Sequence, residues 1–217
     1  MSAVELLREL LATRLDPDAL GWLEQATAEV AGGVGPDRFA ELVAVASRHV
    51  KRAPLAPTND ERARASRLVP GWDPERWDLL DTARVLLVLS LPEPQGMSAE
   101  LLVEEAFRYA DMGELVGLHR ALPLLPAPER FAWRVGEGAR TNMRAVFEAA
   151  CCDNPFPARH FDDVAWRSAV LKALFVGAPL WRVWGLDGRR DEELARMALD
   201  YADERRSAGR PVPPELW

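Results

Sequence analysis

The sequence predicts an all-α protein, an irregular HEAT-like array of antiparallel helix pairs, and three observations predict it. Apolar residues recur three and four apart almost from end to end, the mark of one buried face per helix. Short corners holding Pro or Gly separate these periodic segments. The one run that reads as a strand, VLLVLSL from Val85 to Leu91, has no second strand to pair with.

In chain order, Val4, Leu7, Leu10 and Leu11 form one face of a first helix. Asp16 caps a second that Pro17 opens, running through Leu20, Leu23 and Val30 until Gly32 and Gly33 stop it. A third starts at Pro36 and carries Phe39, Leu42, Val43 and Ala46. The Pro-rich stretch from Ala53 to Pro57 interrupts the pattern, and Asn59 or Asp60 starts a helix that ends before Pro70 and Gly71. After that turn the spacing of Asp78, Asp81 and Arg84, three apart, makes Trp77 to Leu91 a helix. Two more cover Ser98 to Tyr109 and Gly113 to Ala121, and a Pro-rich corner spans Pro123 to Pro128. Helices are then expected over 129–150, 160–176, 179–184 and 191–207. No strict repeat period is visible, so one domain is expected over 1–217: N-terminal helices in 1–52, a middle set in 58–122 and a C-terminal set in 129–217.

Hydrophobic residues make up 48% of the chain, enough for a continuous core. Lys and Arg number 27 against 34 Asp and Glu, and the net charge of −7 repels nucleic acid and anionic membrane. The only cysteines, Cys151 and Cys152, are adjacent, so no ordinary disulfide framework exists, which fits a reducing, cytoplasmic setting. The N-terminus carries acids and arginines through its apolar stripe, unlike a signal peptide, and no segment reads as a transmembrane span. No GxGxxG, P-loop, GxSxG or HExxH motif is present, and His49, His119 and His160 lie at no ligand spacing, so neither cofactor nor metal is expected.

Two lone polar residues stand out because burying an unpaired amide costs about 2–7 kcal/mol. Asn142 falls on a helical stripe with Val135, Ala139, Val146 and Ala149, and Lys172 is the only charge from Ala169 to Ala178. Lys172 has no carboxylate three or four residues away; desolvated, its amine becomes a nucleophile or base, whereas a cross-helix salt bridge or snorkelling makes it structural. Asp163, three residues after His160, is placed to orient the imidazole as a general base, although acids in a first helical turn are also explained by the helix dipole. The expected acid–base set is therefore Lys172, His160 and Asp163. The expected ligand-binding set is Asn142, Arg140, Asp162, Trp133, Trp166 and Phe156, with Phe156 fixed by the flanking Pro155 and Pro157. Eight tryptophans, five of them at Trp133, Trp166, Trp181, Trp184 and Trp217, suit the wall of an aromatic ligand site or plain helix packing, and the ending is expected to fold back so that Leu216 and Trp217 cover the core.

The strings RTNMRAVFEA, NPFPARHFDD, VLKALFVGAPL and ELARMALDYADERRSAGRPVPPELW, with GWDPERWDLLDTARVLLVLSLP upstream, resemble the EboA family, small bacterial proteins associated with metabolite traffic. The first 50 residues carry no motif of that resemblance. It departs from the family after Ala165, where Trp166, Arg167 and Ser168 stand in place of a usual Asn-Gln pair. The resemblance implies an α-helical protein from a setting that processes or exports secondary metabolites, often prenylated or aromatic ones. Joined to the lone polar residues and the absent motifs, it leads to the expectation of a cofactor-free protein that binds a hydrophobic or aromatic secondary-metabolite intermediate in an internal cavity and escorts it, with other pathway proteins as further partners. The alternatives are an enzyme of acid–base cyclisation, isomerisation or elimination, and, more weakly, a protein–protein adaptor.

Overall fold

The structure is a computed structural model and describes residues 1–94 and 96–216. Among the described residues the chain is all-α: α1 Ala3–Ala12, α2 Pro17–Ala31, α3 Pro36–His49, α4 Asn59–Leu68, α5 Leu79–Leu89, α6 Met97–Tyr109, α7 Met112–Ala121, α8 Ala132–Arg140, α9 Arg144–Cys151, α10 Phe156–His160, α11 Asp163–Val176, α12 Leu186–Arg189 and α13 Glu192–Ser207. The run VLLVLSL belongs to α5, and the extended pairing described is one isolated bridge between Pro54 and Asp78.

Local chemistry sets the helix starts. Ser2, Thr58 and Asp111 form capping boxes with Glu5, Glu61 and Glu114, while Asp16, Asp78, Asp162 and Asp191 each accept a backbone N–H of their helix's first turn. Each cap satisfies a donor that the helix cannot, worth about 1 kcal/mol. The apolar faces then pack: Leu6, Leu7, Leu10 and Leu11 of α1 are wholly buried, each contributing about 1.5–3 kcal/mol relative to exposure.

Helix α5 is the hub. All eleven of its residues are buried, and it touches α1, α2, α3 and α7. Its two charges must therefore find partners inside. Arg84 donates from Nε to the Val43 carbonyl at 3.0 Å, and Asp81 pairs with Arg120 of α7. Gly117 lets α7 approach, since a Cβ there would sit 2.9 Å from Cβ of Arg84.

The C-terminal third differs from expectation. The single helix expected over 129–150 is two, because the chain breaks at residues 141–143: Thr141 is extended and its Oγ1 accepts the Met143 N–H at 3.2 Å. A side chain bonded to nearby backbone competes with the helical ladder, and Gly136 and Gly138 weaken the preceding turns. Packing rewards the break. Gly138 sits against Ala150 and His119, with a Cβ there 2.7 Å from both, so α8 and α9 fold onto each other and α7. The helix expected over 160–176 is preceded by α10, and α11 starts after Asp162; a 3-10 turn, Leu180–Arg182, and α12 replace the one expected over 179–184.

Candidate functional site

Two corners, far apart in sequence, meet beside α4. In the first, Gly71 adopts φ +95°, a left-handed conformation that favours glycine, and aims the following Trp72 inward until it is 1% exposed. In the second, Cys152 to Asn154 leave α9. Buried Asn154 donates from Nδ2 to the Ala149, Ala150 and Cys152 carbonyls and accepts the Phe156 N–H at 2.9 Å, closing one helix and starting the next. Backbone bonds join the corners: Asp73 N–H to the Asp153 carbonyl at 3.0 Å, and Asp153 N–H to the Arg182 carbonyl at 2.9 Å.

These elements enclose a groove of about 420 Å³, walled by Trp181 and Trp184 and floored by Trp72, Asp73, Asp153 and Arg182, with Arg62 of α4 on the opposite side. Arg76 lies 4.8 Å over the Trp181 ring and Arg159 lies 5.3 Å over Trp184, so cations back both aromatic walls. Trp181 is 68% exposed, so one of the two aromatic walls presents an open face to solvent. Trp72, Asp153 and Arg182 also line a void of about 10 Å³ behind the floor, room for about one water. Indole Nε1 of Trp72 is buried without a hydrogen-bond partner in the protein.

The floor's charges are clamped. Arg182 donates from Nε and Nη2 to Asp153 Oδ2 at 2.9 and 2.7 Å and from Nη1 to Glu148, and Arg62 grips Asp73 at 2.6 and 3.0 Å. Burial pushes the Asp153 carboxyl above its usual range while Arg182 pulls it back. Burial works against the Arg182 cation, yet the hydrogen bonds it donates to Asp153 and Glu148 outweigh it and raise its pKa. Burial pushes the Cys152 thiol up to about 12 and raises the Cys151 thiol well above its ordinary value, so both stay protonated at neutral pH and act as packing. Among the described residues no group of three His, Cys, Asp or Glu side chains is placed to hold a metal ion.

The residues singled out from sequence fall elsewhere. Asn142 sits in the α8–α9 break and is exposed, not on a buried stripe; Lys172, half-buried, donates to its Oδ1 at 2.6 Å and lies 4.6 Å over the Phe175 ring. The expected chamber around this pair is replaced by a surface contact, because the helix break turns Asn142 outward. Asp163 pairs with Arg189 at 2.7 Å, His160 packs 4.7 Å from Phe156, and no hydrogen bond or ion pair among the described residues joins Lys172, His160 and Asp163. Asp162 caps α11, Arg140 lies 5.6 Å over exposed Trp133, and Trp166 and Phe156 are core residues, Trp166 donating to the Arg189 carbonyl. Trp217 lies outside the described residues; Leu216 lines a groove between α11 and α13. Sequence reading missed Trp72, Arg182, Asp153 and Arg62. The Trp-Asp-Pro and Asp-Asn-Pro corners were the available signal.

These observations define an all-α protein built round a buried hub helix, with an open tryptophan-walled groove on an ion-clamped floor. The chain belongs to the EboA family: the family model described as metabolite traffic protein EboA matches residues 3–217. That match includes the first three helices, where no motif was recognised in the sequence. No curated protein and no solved structure matches the chain. Among the described residues no helix is long and apolar enough to cross a membrane.

Proposed function

We propose that this chain binds a hydrophobic or aromatic secondary-metabolite intermediate in the tryptophan groove and escorts it unchanged, without a cofactor. The family description of metabolite traffic is consistent with this reading. The observation that carries it is the pairing of solvent-open Trp181 and Trp184 walls with a buried floor donor, Trp72 Nε1, that has no partner in the protein. A flat ring stacks on indole faces with a contribution of about 0.5–1.5 kcal/mol beyond burial, and a polar substituent on it meets the floor. The alternative of acid–base chemistry by Lys172, His160 and Asp163 has less behind it, since Asp163 is held by Arg189 and Lys172 by Asn142.

Naphthol, a planar aromatic with one hydroxyl, is a suitable probe. Isothermal titration of the full chain should give one site, and a Trp181→Ala/Trp184→Ala variant should bind about tenfold more weakly or worse. Mass spectrometry should return naphthol unaltered. Equal affinity in the double variant, or no binding to the wild type, removes the groove as the site.

A further inference from the structure

The α11–α13 face carries a second arrangement that the tryptophan groove does not use. Helix α13 is held loosely for its sixteen residues: only Leu194 and Ala202 are buried. On one side of its contact with α11 lies a trough of about 450 Å³ lined by Leu171, Leu174, Leu180, Leu186 and Leu194. On the other lies a notch of about 330 Å³ lined by Lys172, Phe175, Tyr201, Arg205 and Arg210, with Glu204 the one acid. Leu171 lines both.

Charge distinguishes the notch from the rest of the α11–α13 face. The other arginines from α11 to α13, namely Arg167, Arg182, Arg189, Arg190, Arg196 and Arg206, are each paired with a carboxylate. Among the described residues Lys172, Arg205 and Arg210 are in no ion pair, although the chain carries a net charge of −7. Arg205 donates from Nε and Nη2 to the Pro211 carbonyl, which holds the returning chain, and Arg210 with it, against the notch. The Tyr201 hydroxyl is buried without a hydrogen-bond partner. Three unneutralised cations and an unsatisfied hydroxyl in one concavity are the donor set that an anionic oxygen cluster accepts. Asp187, Arg190, Asp191 and Glu192 also line the trough, but there Arg190 is paired with Asp187 and Asp191 with Arg167, so the cations without an ion pair lie at the notch.

We propose that this face is a second ligand site, for a free single-chain amphiphile whose phosphate or carboxylate head sits among Lys172, Arg205 and Arg210 and whose apolar chain runs past Leu171 into the leucine trough. The site is independent of the tryptophan groove. Head and tail are both required, since an exposed cationic notch alone holds phosphate weakly and the trough alone does not select a charged ligand.

The test uses the full chain with dodecyl phosphate below its micellar concentration, compared with inorganic phosphate, dodecanol and phosphatidylglycerol vesicles. Dodecyl phosphate should bind one to one and about tenfold or more tighter than phosphate or dodecanol. Lys172→Gln/Arg210→Gln should weaken it about tenfold while leaving naphthol affinity unchanged, and Leu171→Asn should weaken it through the tail; circular dichroism checks that each variant is folded. Equal binding by the charge variant, equal binding of inorganic phosphate, or binding to vesicles alone would overturn the proposal. Because naphthol binding is read in the same samples, failure here is separable from failure of the tryptophan groove.

Discussion

Lys172 Nζ donates to Asn142 Oδ1 at 2.6 Å, tying α11 to the break between α8 and α9. The two polar residues that interrupt apolar sequence do meet, but at the surface, where water competes for both. Each net contribution is therefore small. Asn142→Ala and Lys172→Met should each change the unfolding free energy by less than about 1 kcal/mol in urea titrations. A loss of about 3 kcal/mol or more would mean the contact is buried.

Arg182 behaves oppositely. Its side chain is 6% exposed and neutralises Glu148 and Asp153 together. Burial pushes Glu148 up, yet hydrogen bonds from Arg144 and Arg182 outweigh it and hold its carboxyl below the usual range. Arg182→Met leaves two acids facing each other in a half-dry floor and should cost about 3–5 kcal/mol. Adding Glu148→Gln and Asp153→Asn should recover part of that loss, which a shift in urea midpoint at constant slope would measure.

His119 makes stability depend on pH. Burial, with Arg134 adding repulsion, pushes its pKa down to about 3, and its Nδ1 has no partner. In the unfolded chain an imidazole takes its proton near pH 6.5, so between that pH and about 3 the unfolded state binds the extra proton. The contribution is complete above pH 6.5 and is lost as pH falls. From pH 7 to 5 the wild type should lose about 2 kcal/mol more than His119→Leu, whose site cannot titrate. Equal pH slopes for the two proteins in urea unfolding would show that the ring is protonated in place.

How far the sequence reached depends on the range of the interaction involved. The seven helices through α7 were legible because their caps and apolar periods lie within a few residues, as with Asp16 and Pro17 or Asp111 and Glu114. The break at Thr141 was not, since it needs α9 to find α7 and α8. Asp81 and Arg84 were read by spacing as helical, which they are, but Arg120 lies 39 residues from Asp81. The groove draws on Arg62, Trp72, Asp153 and Trp184, and no local pattern carries a juxtaposition of that span. The buried asparagine that ties backbone together is Asn154, not Asn142. A Pro on each side of Phe156 pointed to a rigid corner without revealing that the asparagine side chain builds it.

Asn154→Ala should therefore be costly. It removes the acceptor for the Phe156 N–H and the donor to three carbonyls, all buried. Leaving such groups unpaired costs about 1–3 kcal/mol each when water cannot reach them, so with four groups affected a total of about 4 kcal/mol or more is expected. A drop below about 1 kcal/mol in calorimetric stability would indicate that water replaces the amide.

Gly71 links stability to the groove, and a second glycine makes the link testable. Gly71 and Gly33 have nearly the same φ, +95° and +93°, so alanine meets the same left-handed strain at either, about 1–2 kcal/mol. Around Gly33 nothing lies within 4 Å, whereas a Cβ on Gly71 would stand 2.6 Å from the Trp184 ring. That ring is 38% exposed and able to swing outward, so the clash is relieved by moving the groove wall rather than by unfolding. Gly71→Ala should then be only slightly less stable than Gly33→Ala, by about 1 kcal/mol or less, and should differ sharply from it in function. Naphthol affinity should fall about tenfold in Gly71→Ala and stay at the wild-type value in Gly33→Ala. If both variants bind alike, Trp184 is not part of the binding wall, whatever their stabilities.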